Sequence, residues 1–130
     1  MAGATAGYGA DIVFECTGAP PSVATGLELL RKQDDLTIVT VKDYIANPKP
    51  NGYRSLHVIV RIPVYFLDNK ELIPVEVQLR TIAMDFWASL EHQLRYKETA
   101  HVPEELNRQL LDAANRIAAL DGDMQHIHDQ

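Results

Sequence analysis

Length, composition and charge place the chain among ordinary globular domains. It has 130 residues, of which 46% are hydrophobic and 23% are charged, so one domain is expected to bury a core without disulfides or metal. The only cysteine, Cys16, excludes an internal disulfide and fits a reducing cytoplasm, which is the expected location. The net charge of -6 argues against nucleic acid or an anionic membrane as partner, and no segment reads as a membrane span or a secretory signal.

The charge is unevenly distributed along the chain. Residues 1–30 carry three acids and no Lys or Arg, residues 31–97 carry ten bases and eight acids, and residues 98–130 carry two bases and seven acids. A locally basic middle in an acidic chain suggests a small anionic ligand, although an ordinary solvated surface explains the same pattern.

The start of the chain predicts a strand followed by a helix. Residues 1–9 are mostly Gly, Ala and Thr and are expected to be disordered or loosely docked. Residues 11–16 form a short, mostly apolar run that is typical of a buried strand, with Cys16 as a small buried side chain. A turn at residues 17–21 leads into a helix that runs to about residue 32.

The middle of the chain predicts three strands, which cover residues 36–45, 56–66 and 72–79. The loop between the first two, ANPKPNG at residues 46–52, contains two prolines and a glycine that exclude helix and central strand. Asp68 and Asn69 predict a hairpin turn between the last two strands.

The rest of the chain predicts two helices, at residues 81–96 and about 102–128. Thr81 would cap the first helix, and its expected apolar positions are Ile82, Phe86, Leu90 and Leu94, with Trp87 also assigned to the core. The apolar stripe of the second helix is expected at Leu106, Leu110, Ala113, Ile117, Leu120 and Met124. The predicted order β-α-β-β-β-α-α indicates a single α+β domain with a four-stranded, mainly antiparallel or mixed sheet.

One loop concentrates groups that bind phosphate and bases. The segment KDYIANPKPNGYRSLH contains Lys42, Lys49, Arg54 and His57 beside two tyrosines. Arg and Lys form charge-assisted hydrogen bonds to phosphate, and an aromatic ring can stack on a base. The pattern therefore suits a nucleotide, although loops with a few bases and glycines are also common without any ligand.

The strand at residues 72–79 has a polar face. Val75, Val77 and Leu79 point one way, whereas Glu76, Gln78 and Arg80 point the other way. A carboxylate such as Glu76 can hold Mg²⁺ or act as a general base, but a solvated sheet face is the simpler interpretation of the spacing alone.

The two strings KDYIANPKPNGYRSLH and VEVQLRTIAMDFWASLEHQLRYK resemble the small stand-alone RelA/SpoT-type alarmone synthetases over residues 31–130. This family consists of GTP pyrophosphokinases, which transfer pyrophosphate from ATP to the 3′-hydroxyl of GTP or GDP, and the fold implied is a nucleotidyltransferase-like remnant. The resemblance implies that Glu76 binds Mg²⁺ and helps to deprotonate the attacking hydroxyl. The implied nucleotide-binding residues are Tyr53, which would stack on guanine, with Lys49, Arg54 and His57 at phosphate or ribose, Arg80 on the same face, and Asp85 and Glu91 near the guanine edge.

The N-terminal segment departs from that family. Its basic ATP-gripping segment and its Asp-x-x-Gly-Ile-Arg-type motif have no match here, since Asp11 does not fit the pattern and no Arg precedes Arg31. Residues 8–31 instead resemble a strand-helix unit of zinc-type medium-chain alcohol dehydrogenases. The expectation is a chimera, engineered or recombinant, joined near Leu29 to Lys32, with residues 10–31 from one fold and residues 32–130 from the other.

Three functional hypotheses follow from these resemblances. The leading one is a catalytically impaired chimera that keeps weak GTP or GDP binding and lacks a firm ATP site. No cofactor is expected unless activity remains, in which case the cofactor is Mg²⁺. The alternative is an active GTP pyrophosphokinase in which Lys32, Lys42 and Arg61 hold ATP. The third is a ligand-free structural module. An uncovered sheet edge would also favour a homodimer.

Overall fold

The computed structural model describes residues 10–16, 20–97 and 102–130, with side chains from residue 23 to 97 and from 102 to 130. The expected disorder of residues 1–9, most of the turn at residues 17–21 and the burial of Cys16 lie outside what is described. None of the helices in the described ranges is both long and apolar enough to cross a bilayer.

The secondary structure follows the predicted order, with boundaries shifted by a few residues. Strand β1 (Ala10–Cys16) leads to helix α1 (Pro20–Arg31), and three strands follow: β2 (Thr37–Asp43), β3 (Leu56–Tyr65) and β4 (Lys70–Thr81). The chain ends in helices α2 (Ile82–Lys97) and α3 (Glu104–His128). The sheet has the strand order β1-β4-β3-β2. Its antiparallel part consists of β2, β3 and β4, whereas β1 pairs with β4 in parallel. The α+β class and the mainly antiparallel character of the sheet are confirmed.

Alternation along β3 and β4 gives the sheet one apolar and one polar face. Val75, Val77 and Leu79 share one face, as predicted, because each residue of a strand points to the opposite face from its neighbour, and all three are buried. They pack against Val58 and Val60 of β3, and the cluster also includes Val23 of α1. Helix α1 therefore covers the apolar face, and the other face is left for polar side chains.

A second cluster joins α2 to α3. Trp87 of α2 is buried against Leu110 and Ala114 of α3, and Tyr53 packs at the edge of this cluster. The Trp87 indole N–H donates a 2.8 Å hydrogen bond to the carbonyl oxygen of Leu110. The predicted burial of Trp87 is confirmed. At the start of α2, the backbone N–H of Met84 donates to Thr81 Oγ1 at 3.2 Å, so Thr81 caps the helix as predicted.

The predicted apolar face of α2 was wrong in part. Ile82, Phe86 and Leu90 are 49%, 67% and 42% exposed, whereas Met84 is buried and Leu94 is half-buried. A step of four residues advances the side chain by about 40° beyond a full turn, so positions 82 and 94 do not share a face. The stripe that faces α3 is instead the one centred on Trp87.

The predicted stripe of α3 is correct only in its first half. Leu110 is buried, and Leu106, Ala113 and Ile117 pack beside it. Further along, Leu120 and Met124 are 53% and 46% exposed, because the contacts of α3 with α2 lie in the cluster around Leu110. The residue of this half that is buried is Asp121.

Candidate functional site

The polar face of the sheet carries a chain of hydrogen bonds along β4. Gln78 Nε2 donates to Glu76 Oε1 at 2.8 Å, and Arg80 Nη2 donates to Gln78 Oε1. The three residues occupy alternate positions of one strand, so their side chains lie side by side on the same face. Gln78 thereby links the carboxylate to the guanidinium.

His57 extends this chain to the loop before β3. In the β3–β4 register His57 lies opposite Gln78, and His57 Nδ1 is 3.5 Å from Glu76 Oε1. The other ring nitrogen, Nε2, is 2.8 Å from the hydroxyl of Tyr53. If the proton is on Nδ1, the hydroxyl of Tyr53 donates to Nε2 and His57 connects the Tyr53 ring to Glu76.

An aromatic cluster and a lysine border the same site. The rings of Tyr44 and His57 meet edge to face with centroids 5.2 Å apart, and those of Tyr53 and His57 do so at 5.7 Å. Lys49 Nζ lies 4.8 Å from the centroid of Tyr44 and 5.0 Å from that of Tyr53. Such contacts are attractive for a cation, and they hold a positive charge at the mouth of the site.

The loop that presents Tyr53 is closed by short-range hydrogen bonds. The backbone N–H of Lys49 donates to the carbonyl oxygen of Tyr53 at 3.1 Å, and that of Gly52 donates to Lys49 at 2.9 Å. The side chain of Asn51 accepts from the Tyr53 N–H at 3.0 Å. Gly52 has φ of 96°, a conformation that L side chains rarely adopt, and this explains the glycine in ANPKPNG.

Arg80 anchors the far end of the polar chain. It is 6% exposed, its Nη1 lies 3.5 Å from Asp85 Oδ1, and its guanidinium carbon is 5.7 Å from the centroid of Tyr53. Its Nε is buried without a hydrogen-bond partner among the described residues. Through its two Nη atoms, Arg80 therefore connects the polar row of β4 to Asp85 in the first turn of α2.

Burial shifts the ionisation of the two central groups. Burial lowers the pKa of His57 below its ordinary 6.5, while the charge of Glu76 opposes the shift and Arg80, Lys49 and Lys42 reinforce it. Burial also raises the pKa of Tyr53 above 10.0, which Arg80 partly offsets. At neutral pH His57 is therefore a neutral imidazole and Tyr53 a neutral phenol.

The structure brings together most of the site residues named from the sequence. Lys49, Tyr53, His57, Glu76, Arg80 and Asp85 lie within one set of contacts. Glu91 lies nearly two turns beyond Asp85 in α2 and pairs with Arg95. Arg54 is turned away from the polar face, since its Nη1 donates to the carbonyl oxygen of Ala114 at 2.9 Å.

Gln78 and Tyr44 lie in the two segments that the sequence singled out, but neither was assigned a role of its own. The period-two alternation of β4 already placed Gln78 between Glu76 and Arg80, so this signal was present. Tyr44 follows β2, and only the pairing of β2 with β3 brings it to His57. In the described part of the chain, no group of three His, Cys, Asp or Glu side chains could hold a metal ion. A magnesium ion bound to Glu76 would therefore take its other ligands from substrate phosphates and water.

An open cleft of about 730 Å³ adjoins the site loop. It lies between the loop, the end of α2 and the first turns of α3, and its lining includes Pro50, Asn51, Arg95, Arg108 and Leu111. Arg95 is paired with Glu91 and Arg108 with Glu105, so the two cations of the cleft are neutralised by neighbours on their own helices.

Comparison with known families gives a match over most of the chain. A family model described as the region found in RelA/SpoT proteins matches residues 16–101. This match starts ahead of the junction expected near Leu29 to Lys32 and therefore includes α1. The dehydrogenase resemblance and the chimeric origin stay predictions.

Individual relatives are similar over three-quarters of the chain. GTP pyrophosphokinase YwaC of Bacillus subtilis is 51% identical over 98 residues, which are 75% of this chain and 47% of YwaC. GTP pyrophosphokinase YjbM of the same organism is 40% identical over 100 residues, which are 77% of this chain and 47% of YjbM. The chain thus spans about half the length of these relatives.

Solved structures match the fold over most of the chain. Small alarmone synthetase 2 from Bacillus subtilis superposes with a TM-score of 0.88 at 44% identity, over 92% of this chain and 64% of that one. Small alarmone synthetase 1 from the same organism, bound to its product pppGpp, superposes with a TM-score of 0.83 at 34% identity, over 92% of this chain and 60% of that one.

Proposed function

Because the chain belongs to the family defined by the region found in RelA/SpoT proteins, we propose that it forms the acceptor site of a GTP pyrophosphokinase and binds GTP or GDP on its polar sheet face. The observation that carries the proposal is the continuous contact from Lys49 through Tyr53 and His57 to Glu76. These groups supply a ring for stacking, positive charge for phosphate and a carboxylate for a hydroxyl or a metal ion. The similarity to GTP pyrophosphokinases YwaC and YjbM supports the same assignment.

The roles of the acceptor residues follow from their chemistry. The Tyr53 ring is the stacking surface for guanine, since base–aromatic stacking contributes about 1–3 kcal/mol. Lys49 provides the charge for the acceptor phosphates. We assign Asp85 and Glu91 to accept hydrogen bonds from the guanine N–H groups; Asp85 lies 3.5 Å from the guanidinium of Arg80.

Glu76 is the residue of the site that fits Mg²⁺. Magnesium is commonly held by one or two carboxylates together with substrate phosphates, and a single carboxylate suffices under that scheme. Among the described residues, Gln78 and His57 both contact Oε1 of Glu76, and we assign Oε2 to the ion. The bound ion would neutralise charge on the phosphates. His57 and Gln78 fix the orientation of the carboxylate.

Pyrophosphate transfer is a second candidate function, favoured by the position of the Glu76 carboxylate beside the stacking ring. In that reaction the 3′-oxygen of GTP or GDP forms a bond to the β-phosphorus of ATP, the bond from that phosphorus to the oxygen bridging to AMP breaks, and AMP leaves with the bonding electrons. The proton of the 3′-hydroxyl passes to Glu76 and then to solvent. Positioning and charge neutralisation supply most of the catalysis in such transfers.

Calorimetric titration with GTP and GDP tests the acceptor proposal directly. We expect saturable binding that weakens about tenfold or more in Tyr53→Ala, because stacking is lost. Tyr65→Ala is the matched control, since Tyr65 is 72% exposed at the hairpin between β3 and β4. Absence of binding by the folded parent protein would overturn the proposal.

A turnover assay separates binding from catalysis. The protein is incubated with ATP, GTP and Mg²⁺, and the products are separated by anion exchange. Formation of pppGpp that is abolished in Glu76→Gln supports the transferase. GTP binding without product identifies the chain as an acceptor module that depends on a donor site elsewhere.

A further inference from the structure

The site loop lies directly against helix α3. Gly52 is buried, and a Cβ atom added to it would lie 2.6 Å from Ala114 Cβ and 3.2 Å from a methyl carbon of Leu111. The first of these distances is shorter than real carbon atoms approach. The backbone of the loop is therefore in contact with α3 just before Tyr53.

Arg54 makes the corresponding contact just after Tyr53. Its Nη1 donates to the carbonyl oxygen of Ala114 at 2.9 Å. The positive charge of Arg54 also acts on the buried Asp121 of α3, whose pKa it lowers against the larger effect of burial. Tyr53 is thus flanked by two residues that are both held by α3 at Ala114.

The contacts of Arg54 differ from those of the other cations of the site. Lys49 lies over the Tyr44 and Tyr53 rings at the mouth of the polar face, and Arg80 reaches Gln78 and Asp85 on that face. The hydrogen bond of Arg54 instead runs to the main chain of α3. A planar guanidinium with several donors suits such a fixed link better than a flexible ammonium.

We propose that Arg54 is a positioning residue, which anchors the Tyr53 loop to α3, and that it is not a ligand of the acceptor phosphates. This inference rests on the proposed guanine-nucleotide site. With Gly52 and Arg54 both held by α3, the Tyr53 ring is oriented before the nucleotide arrives. Because the ring is already ordered in the free protein, nucleotide binding does not have to offset the conformational entropy of ordering it.

Affinities for guanosine, GDP and GTP, measured by calorimetry, separate the two roles of Arg54. If Arg54 positions the ring, Arg54→Met weakens all three ligands by the same factor, about tenfold, as expected for the loss of a charged hydrogen bond. If Arg54 contacts phosphate, the loss increases from guanosine to GDP to GTP, and that result overturns the proposal. Lys49→Met provides the comparison, because the affinity that it loses should increase with the number of phosphates on the ligand.

Two controls keep the test interpretable. Arg116→Met places the same substitution on α3 at a side chain that is 82% exposed, and it should leave all three affinities unchanged. Trp87 is the only tryptophan of the chain and donates to Leu110 of α3, so its fluorescence reports whether α3 remains docked. If Arg54→Met does not fold, Arg54→Lys should show a smaller loss that is again equal for the three ligands.

Hydrogen exchange tests the anchor without any nucleotide. In the free protein, Arg54→Met should speed amide exchange of residues 51–55 by about tenfold, because a lost charged hydrogen bond lowers the local opening free energy. Unchanged protection would overturn the proposal even if the parent protein binds no guanosine ligand. Absence of ligand binding in the parent, with faster exchange in the variant, would instead refute the proposed function and leave the anchor supported.

Discussion

The two clusters of this domain are held together in different ways. The cluster under α1 consists of aliphatic side chains from the apolar face of the sheet, such as Val58, Val77 and Leu79. The cluster between α2 and α3 combines Trp87, Leu110 and Ala114 with side-chain hydrogen bonds to two α3 carbonyl oxygens. The first cluster stabilises the sheet through the burial of apolar side chains, whereas the second also fixes the loop that presents Tyr53. Mutations in the two clusters should therefore separate stability from nucleotide affinity.

Within the aliphatic cluster, Leu79→Ala should produce a large loss of stability. Leu79 is 2% exposed, and truncation of a buried leucine costs about 2–5 kcal/mol through lost burial and a cavity. Urea denaturation measures this loss. The affinity of the protein that remains folded should change little, because Leu79 lies on the face opposite to the site.

The exposed leucine of α1 is the control for that substitution. Leu29 is 57% exposed, so Leu29→Ala should change the free energy of unfolding by less than about 0.5 kcal/mol. A loss of GTP affinity in Leu79→Ala as large as in Tyr53→Ala would show that the two clusters are not independent.

Gly52→Ala should affect both stability and affinity. A side chain at φ of 96° costs about 1–3 kcal/mol, and the added Cβ would clash with Ala114. We expect a stability loss of about 2 kcal/mol together with weaker binding of GTP, because the loop must move away from α3. Thermal unfolding and calorimetry measure the two losses on the same sample.

The matched control lies on α3 itself. Nothing lies within 4 Å of a Cβ added to Gly122, and Gly122 is in the interior of the helix, so Gly122→Ala should stabilise the protein by up to about 1 kcal/mol. If Gly52→Ala loses stability but keeps the affinity of the parent, contact of the loop with α3 does not orient Tyr53.

The two clusters also differ in how far the sequence predicts them. The alternation Val75-Glu76-Val77-Gln78-Leu79-Arg80 specifies both faces of β4 within six residues, so the core and the polar row were recognised together. The hydrogen bond from Arg54 to Ala114 joins residues 60 positions apart, and no local pattern contains that information. In α2 two apolar stripes compete, and only the position of α3 decides that Trp87 is buried and Phe86 is exposed.

Asp121 gives the contact between α3 and Thr81, the cap of α2, a dependence on pH. Its Oδ2 accepts a 2.7 Å hydrogen bond from Thr81, and burial raises its pKa above 3.8, although Thr81 and Arg54 act in the opposite direction. Between pH 3.8 and the higher native pKa, the native state binds more protons than the unfolded state. The contribution of Asp121 to the free energy of unfolding therefore decreases as the pH rises through that window.

Asp121→Asn should abolish this contribution, because the amide keeps an acceptor for Thr81 but does not titrate. The difference in unfolding free energy between parent and variant should therefore decrease with rising pH above 3.8 and then level off. The total decrease should be smaller than the stability losses expected for Leu79→Ala and Gly52→Ala. Urea denaturation at a series of pH values measures it. A difference that increases with pH would mean that Arg54 and Thr81 outweigh burial.

Phe86 should give the smallest effect. It is 67% exposed, whereas its neighbour Trp87 is 4% exposed, so Phe86→Ser should change the free energy of unfolding by less than about 0.5 kcal/mol, while Trp87→Ala should cost about 3–5 kcal/mol. Denaturation at several protein concentrations makes the contrast informative. A concentration-dependent loss in Phe86→Ser would mean that a second copy of the chain covers Ile82, Phe86 and Leu90, since a partner that binds only the native state stabilises it by mass action. A small loss of stability at every protein concentration would mean that α2 is held in place by the packing of Trp87 against α3.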